Sequence, residues 1–424
     1  MKGVWKGRMS RWPSKDEDLH KRLHLKHEPV KYEPITVTDA LHALNLYLKT
    51  IIELGTYSYL SGEGTVARHI IELESTIDNT AYQLLIHASL TVGHNISKAM
   101  GSLPLYIYVL GVDKITDAFK DLAFLTLMGY RPSNELYRYY VFLSDVIRAK
   151  VPGSKLAGKT MSWIQEEYAV EPIAILRESA WILIPDEDEV VRPGDVVYFS
   201  GVKENVNDLL KTIGMEEITG MEPPPGIEAI MGHIDSMVDI VNLLNDLAHY
   251  QLKAQDPEMI EEVMEIEMFF DKLRLKVSEM IMDSNNLDSK DKFSLLTLVT
   301  RLEDVTDAFA YALTLPAKDE YKEVLSRMVE GSGEKVRLFY VASRLNIAKL
   351  ADELEELGAT VLAVKKQGDW IAVTPYNISK LVAEPGDALL IMYPIVLEED
   401  LIDFMKRYST ESEEVGVEEK EEEE

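Results

Sequence analysis

A chain of 424 residues exceeds one compact domain, and 46% hydrophobic with 28% charged residues is the balance of a globular protein with real cores. A formal net charge of −29 argues against nucleic-acid binding through a basic surface and suits the handling of cations. Cysteine is absent, which excludes disulfides, thiolate metal sites and cysteine nucleophiles. With no apolar stretch behind the basic N-terminus, the expectation is a cytoplasmic protein.

In chain order, residues 1–33 are basic and irregular and read as a flexible arm. From Pro34 the pattern becomes helical. ITVTDALHALNLYLKTIIELGTYSYL places Leu41, Leu44, Leu48, Ile51 and Ile52 on one face, and Gly62 and Gly64 break it. TVARHIIELESTIDNTAYQLLIHASL predicts a second long helix. The uncharged run 79–97 holds Asn79, Gln83, His87, His94 and Asn95, so it reads as a core helix rather than a membrane span. GSLP marks the next turn, and a further helix carries LGVDKITDAF.

From about Ser144 the pattern changes to that of a small α+β unit. VIRAKV, EPIAILR, WILIP and VVYFSG read as strands, while KLAGKTMSWIQEEY and ENVNDLLKTIG read as helices, the latter ended by Gly214. PPPG at 223–226 is a linker. The whole arrangement then recurs. Leu54 to Asp78 align with Leu247 to Asp271 at a constant offset of 193, and TRLEDVTDAF at 300–309 repeats the earlier TDAF phrase. VRLFYV, SRLNIAKLADELEEL, TVLAVKK, WIAVTP and ALLIMYP repeat the α+β unit, pairing Trp181 with Trp370 and Pro193-Gly194-Asp195 with Pro385-Gly386-Asp387. The period is far longer than that of solenoid repeats and predicts a tandem duplication of a two-domain cassette. After Thr410 the tail is nearly all glutamate and is expected to be disordered.

The helical part, in which VKYEPITVTDAL leads into a helix pair and an (E/D)xxxD phrase, resembles PhoU-like helical domains. The α+β part resembles the C-terminal domain of TrkA-type regulators, or RCK C-terminal domain. The stretches carrying this are IAILRESAWILIPDEDEVVRPGDVVYFSG and VLAVKKQGDWIAVTPYNISKLVAEPGDALLIM, each a strand, a short hairpin near proline, then PGD and another strand. The second departs where Met392-Tyr393-Pro394 replaces the usual glycine. The combination resembles archaeal regulatory proteins related to potassium channels. It implies a multidomain α and α+β protein in which two PhoU-like antiparallel helical bundles alternate with two small α+β RCK C-terminal-like domains. The implied order is arm 1–33, helical 34–140, α+β 141–217, linker 218–226, helical 227–332, α+β 333–409 and tail 410–424. No GxGxxG follows a strand, so nucleotide sensing through a Rossmann domain is unsupported.

The same resemblance implies regulation rather than catalysis. The expectation is an accessory protein of cation transport, with potassium first, that acts on a membrane transporter or channel. It senses a small ligand, for which cyclic di-AMP is a candidate, and forms an intramolecular pseudo-dimer or a homo-oligomer. The alternative is a PhoU-type metal-binding protein of phosphate-transport regulation. In that case the candidate ligands are Glu74, Asp78, Asp113 and Asp117 in the first helical unit and Glu267, Asp271, Glu303 and Asp307 in the second. Within each pair the acids lie four residues apart, on one helix face. Oxygen-only ligation favours a divalent ion such as Mg, Mn or Fe over zinc. The opposing reading is an ordinary charged face, with Lys114 and Arg301 as counterions. Trp181 and Trp370 are expected to anchor the core or an interface. Gly194 and Gly386 are expected to take positive φ, and Asp195 and Asp387 to bond turn backbone.

Overall fold

Each helix begins and ends where a local signal tells it to. In the first helical unit, α1 (Val37–Ser61) starts where the Thr36 side chain accepts the Asp39 N–H, and it stops at Gly62, whose φ of 76° leaves the helical region. α2 (Gly64–Val92), α3 (Ile96–Gly101) and α4 (Leu103–Met128) follow, the last with proline in its first turn and Gly129 at φ 79° behind it. α5 (Asn134–Leu143), capped by Ser133, joins the bundle to the first sheet. The computed structural model describes residues 30, 32, 35–178, 180–254, 256–314, 334–355, 357–374, 377–394 and 397–409. The expected arm, apart from Val30 and Tyr32, and the expected acidic tail lie outside the described residues, as does 315–333.

The first sheet contains β1 (Val146–Pro152), β2 (Glu171–Arg177), β3 (Ala180–Leu183) and β4 (Val196–Val202), in the order β1-β4-β2-β3 with every pairing antiparallel. α6 (Met161–Tyr168) and α7 (Lys203–Thr212) cover one face. The sequence predicts a helix across all of KLAGKTMSWIQEEY, but the helix starts only at Met161. Gly158 at φ 81° bends the chain first, and Thr160 then caps by accepting the Trp163 N–H. The second helical unit is α8 (Ile227–Ala254), α9 (Pro257–Asp283) and α10 (Ser289–Leu313). β5 (Glu334–Tyr340), β6 (Leu345–Asn346), α11 (Ile347–Glu355), β7 (Thr360–Lys366), β8 (Asp369–Ala372), β9 (Val382–Ala383), β10 (Ala388–Pro394) and α12 (Glu398–Met405) complete the described chain. The second sheet runs β5-β10-β7-β8, the same order by role as the first and again antiparallel throughout.

Each sheet is covered on both faces, which explains why β2 is buried at five consecutive positions instead of alternating. Ile175, Val197 and Phe199 face the small helices, whereas Ala174, Leu176 and Tyr198 join the helical core. Ala363, Trp370, Ala372 and Leu390 of the second sheet join that same core. Trp181 packs edge-on to His69 of α2, and the Tyr198 hydroxyl lies 2.7 Å from His69 Nδ1. Both tryptophans therefore tie a sheet to the helices.

The two helical units meet along matching elements. α4 crosses α10 at Gly111, where an added Cβ would stand 3.0 Å from the Ala308 carbonyl oxygen and 3.3 Å from Ala312 Cβ. Between α1 and α8, Asn245 Nδ2 donates to Asn45 Oδ1 at 2.9 Å, and between α1 and α10 the Tyr59 hydroxyl donates to the Ser294 carbonyl at 3.1 Å. From Ile35 onward the described residues form one compact unit.

Candidate functional site

The structure brings each set of four predicted carboxylates together at the bundle surface, but it pairs them with cations of the protein's own. Glu74 and Asp78 on α2 and Asp113 and Asp117 on α4 are electrostatic neighbours. Lys120, one turn beyond Asp117, reaches Glu74 at 2.5 Å and Asp117 at 2.7 Å. Asp78 is pushed up to about 7, first by burial and then by Glu74 and Asp113, with Lys120 opposing. In the second unit Arg274 lies 3.2 Å from Glu303 and 3.6 Å from Asp271. Burial, followed by like-charge neighbours, raises Glu267 and Asp307; for Glu303, burial outweighs the lowering by Arg274. Among the described residues no three or more histidine, aspartate or glutamate side chains are gathered so as to hold a metal ion. The residues in this arrangement do not fit one. Of the counterions foreseen from sequence, Arg301 pairs with Asp121 and Asp304 instead, while Lys114 lies over the Tyr311 ring and opposes the rise at Asp307.

The sequence did not point to a cavity of about 270 Å³ where α1, α8 and the two sheets converge. α1 contributes Lys49 and Glu53, the start of β1 contributes Asp145 and Arg148, and β2 contributes Glu171. α8 contributes a stripe of Asp235, Asp239, Asn242 and Asp246. These four recur at spacings of four, three and four residues, so they share one face of a helix whose intervening residues are mostly buried and apolar, Ser236 and Asn245 being polar. That polar stripe is the signal by which the site could have been found.

Six carboxylates and two cations line the cavity, and one of the cations is already engaged. Arg148 Nε donates to Glu53 at 2.7 Å and Nη1 to the Tyr140 hydroxyl at 3.3 Å. Burial alone would raise Glu53, but Arg148 overrides it and the net shift is downward. Asp235 accepts from Ser144 at 3.2 Å, and Asn242 Nδ2 donates to Glu53 at 3.2 Å. Asn242 Oδ1 is buried without a hydrogen-bond partner. Among the described residues, no hydrogen bond or ion pair engages the carboxylates of Asp239 and Asp246. Asp239 is half-buried, whereas Asp246 is exposed. Burial, ahead of repulsion from Asp235 and against Arg148, pushes Asp239 up to about 8; the surrounding protein raises Asp246 as well, with Lys49 opposing. Ile184, at the cavity wall, holds φ at 40°, which for a β-branched residue costs on the order of 1–3 kcal/mol.

The turn before β4 is fixed by charge. Arg177 donates to both Asp195 oxygens, at 3.0 and 2.8 Å, and to Glu189 at 2.7 Å, while Asp195 also accepts the Arg192 N–H. Asp387 accepts the Glu384 N–H in the second sheet, as expected of both aspartates. The two glycines differ. Gly386 takes φ 94°, whereas Gly194 stays outside the left-handed region, although Asp195 and Asp387 bond their turns alike.

Residues 146–214 match the TrkA-C domain model, the span from β1 to the residue that ends α7. No curated protein sequence matches the chain. Solved structures titled "GsuK Channel" and "GsuK channel bound to NAD" are each 12% identical over 71% of this chain and 66% of theirs, with TM-scores of 0.17 and 0.18. "Crystal Structure of the GsuK RCK domain" is 12% identical over 70% of this chain and 79% of its own, with a TM-score of 0.16. At those scores the likeness carries no argument. The chain spans less than two thirds of the two channel structures. What the family model does show is a TrkA-C domain at 146–214.

Proposed function

We propose that this protein is a non-enzymatic regulator of transmembrane cation transport, with potassium the first candidate ion. The observation that carries the proposal is the TrkA-C match over 146–214, supported by a second sheet of the same strand order beyond it. A tandem duplication of one cassette, a PhoU-like helical part followed by a TrkA-C-like part, accounts for the matching order and for α4 meeting α10 across the junction. The TrkA-C-like units sense a small ligand, and the helical units transmit its occupancy to a transporter or channel at the cytoplasmic face. No helix among the described residues is long and apolar enough to cross a membrane, so a partner must supply the ion path.

The test is rubidium uptake, as a tracer for potassium, in host cells lacking this chain. The expected result is a changed response of uptake to a step in external potassium, restored by the intact chain. Uptake and internal potassium identical to the parent's across the step would sink the proposal.

A further inference from the structure

The cavity between the cassettes is rich in acceptors and poor in donors. Asp239 and Asp246 line it without a hydrogen bond or ion pair among the described residues, Arg148 and Lys49 being their cationic neighbours, and Asn242 Oδ1 is buried and unanswered. The Asn242 amide cannot turn to help itself without giving up the bond from Nδ2 to Glu53. A buried acceptor such as Asn242 Oδ1 needs an N–H donor, and the excess of carboxylates over cations in the lining favours a cationic one. An anionic ligand would meet six carboxylates, of which Asp145 is paired with Lys380, against two cations in the lining, one of which is held by Glu53.

A bare metal ion fits poorly, because it needs several oxygens converging at about 2.0–2.6 Å and no such group is gathered among the described residues. The space is also far larger than one ion. Its walls alternate in character. Leu143, Ile173, Leu243 and Leu362 give it apolar stretches between the acids, suited to methylene segments. Asp239 and Asp246 are seven residues apart on α8, about 10 Å along the helix at 1.5 Å per residue. A flexible chain with ammonium groups near both ends and apolar carbons between them matches that pattern.

We propose that the cavity where α1, α8 and the two sheets meet is a binding site for a linear aliphatic polyamine. Its ammonium groups pair with Asp239 and Asp246, Asn242 Oδ1 accepts a further N–H, and the methylene segments lie on the leucine and isoleucine walls. The site joins residues of both cassettes, so an occupant would hold them in this relative placement. Binding is measured on the purified chain and stands or falls separately from the transport role.

The test is thermal melting of the full chain at pH 8.5 and fixed ionic strength, with spermidine, magnesium chloride or cyclic di-AMP added. The variants are Asp239→Asn with Asp246→Asn and, as an equal change of charge on the exposed face of α7, Glu204→Gln with Asp208→Asn. The control pair matters because a chain of net charge −29 attracts any polycation. Spermidine is expected to raise the melting temperature of the parent and the control in a saturable way and to leave the cavity variant unmoved. Losing the half-buried Asp239 carboxylate relieves its burial and its repulsion with Asp235, and Asp246 is exposed, so the cavity variant is expected to fold and to melt no lower than the parent. Equal spermidine shifts in all three proteins, or none in the parent, would overturn the site. So would a saturable response to magnesium or cyclic di-AMP, larger than that to spermidine, that the cavity variant loses.

Discussion

Asp239 and Lys120 show how buried charge is managed in opposite ways. Around Lys120, burial works against the charge, but Asp117 and Glu74 hold it and the net shift is strongly upward. Asp239 has no such partner among the described residues. Its folded-state pKa of about 8 lies well above the ordinary aspartate value of about 3.9. Between those values the folded chain holds a proton that the unfolded chain has released, so the contribution of Asp239 to stability falls as pH rises through that window. The unliganded protein is therefore expected to melt at a lower temperature at pH 8.5 than at pH 5.5. Asp239→Asn should remove part of that loss, raising the pH 8.5 melting temperature by a few degrees while changing the pH 5.5 value little. Equal effects at the two pH values would show that Asp239 is not titrating in this window. Sequence carried half of this picture. The acid pairs and their repeat are legible as i,i+4 spacing, and Lys120 follows Asp117 by one turn. That Glu74 of another helix completes the contact, and that Arg274 does the same work in the second unit, depends on packing no local pattern encodes.

Among the elements, the helix crossings are set by glycines whose roles differ in kind. Gly111 lets α4 lie against the Ala308 carbonyl, so Gly111→Val forces the helices apart. A loss of about 1–3 kcal/mol in urea unfolding is expected, as for an overpacked core. At Gly232 in α8 an added Cβ would meet nothing within 4 Å. There Gly232→Ala should stabilise by up to about 1 kcal/mol, since only the helical entropy cost of glycine is removed. Opposite signs at two helical glycines would confirm that the α4–α10 approach is close, whereas equal signs would not. Arg177 is the comparable point in the first sheet. Arg177→Ala strands the buried Asp195 carboxylate and is expected to cost about 3–5 kcal/mol. The long helices and most strands are readable from apolar period and turn residues, and the strand order of each sheet is not. The short helices α5 and α12 also escape a reading by period. Asn134–Leu143 and Glu398–Met405 are too brief to show a face, and the sheets rather than propensity define their positions.

For the molecule as a whole, the decisive feature is that each half carries surfaces made for the other. Residues 35–217 or 227–409 expressed alone would expose the Gly111 face of α4 or the Ala308 face of α10, and would divide the cavity. Each half is expected to self-associate or aggregate in size-exclusion chromatography with light scattering. The two mixed should form a 1:1 complex that melts higher than either. Halves that stay monomeric and stable would show that the junction is incidental. The matching stretches are legible at the constant offset of 193. What sequence cannot give is which faces meet. α1 and α8 both look like amphipathic core helices, and only the tertiary arrangement turns the acidic stripe of α8 inward.

The Asn45–Asn245 hydrogen bond joins residues 200 positions apart. During synthesis the first of these helices is finished long before its partner exists. At the usual ribosomal rate of about 5–20 residues per second, the wait is roughly 10–40 s. Through that interval the first half presents an open docking face to whatever is nearby, and the nearest match is another nascent chain on the same message. Two chains that exchange halves satisfy every contact seen here, and each of the two resulting assemblies again encloses a cavity. Expression level, and the spacing of ribosomes on the message, would then decide how much of the product is the closed monomer and how much is an interlocked pair.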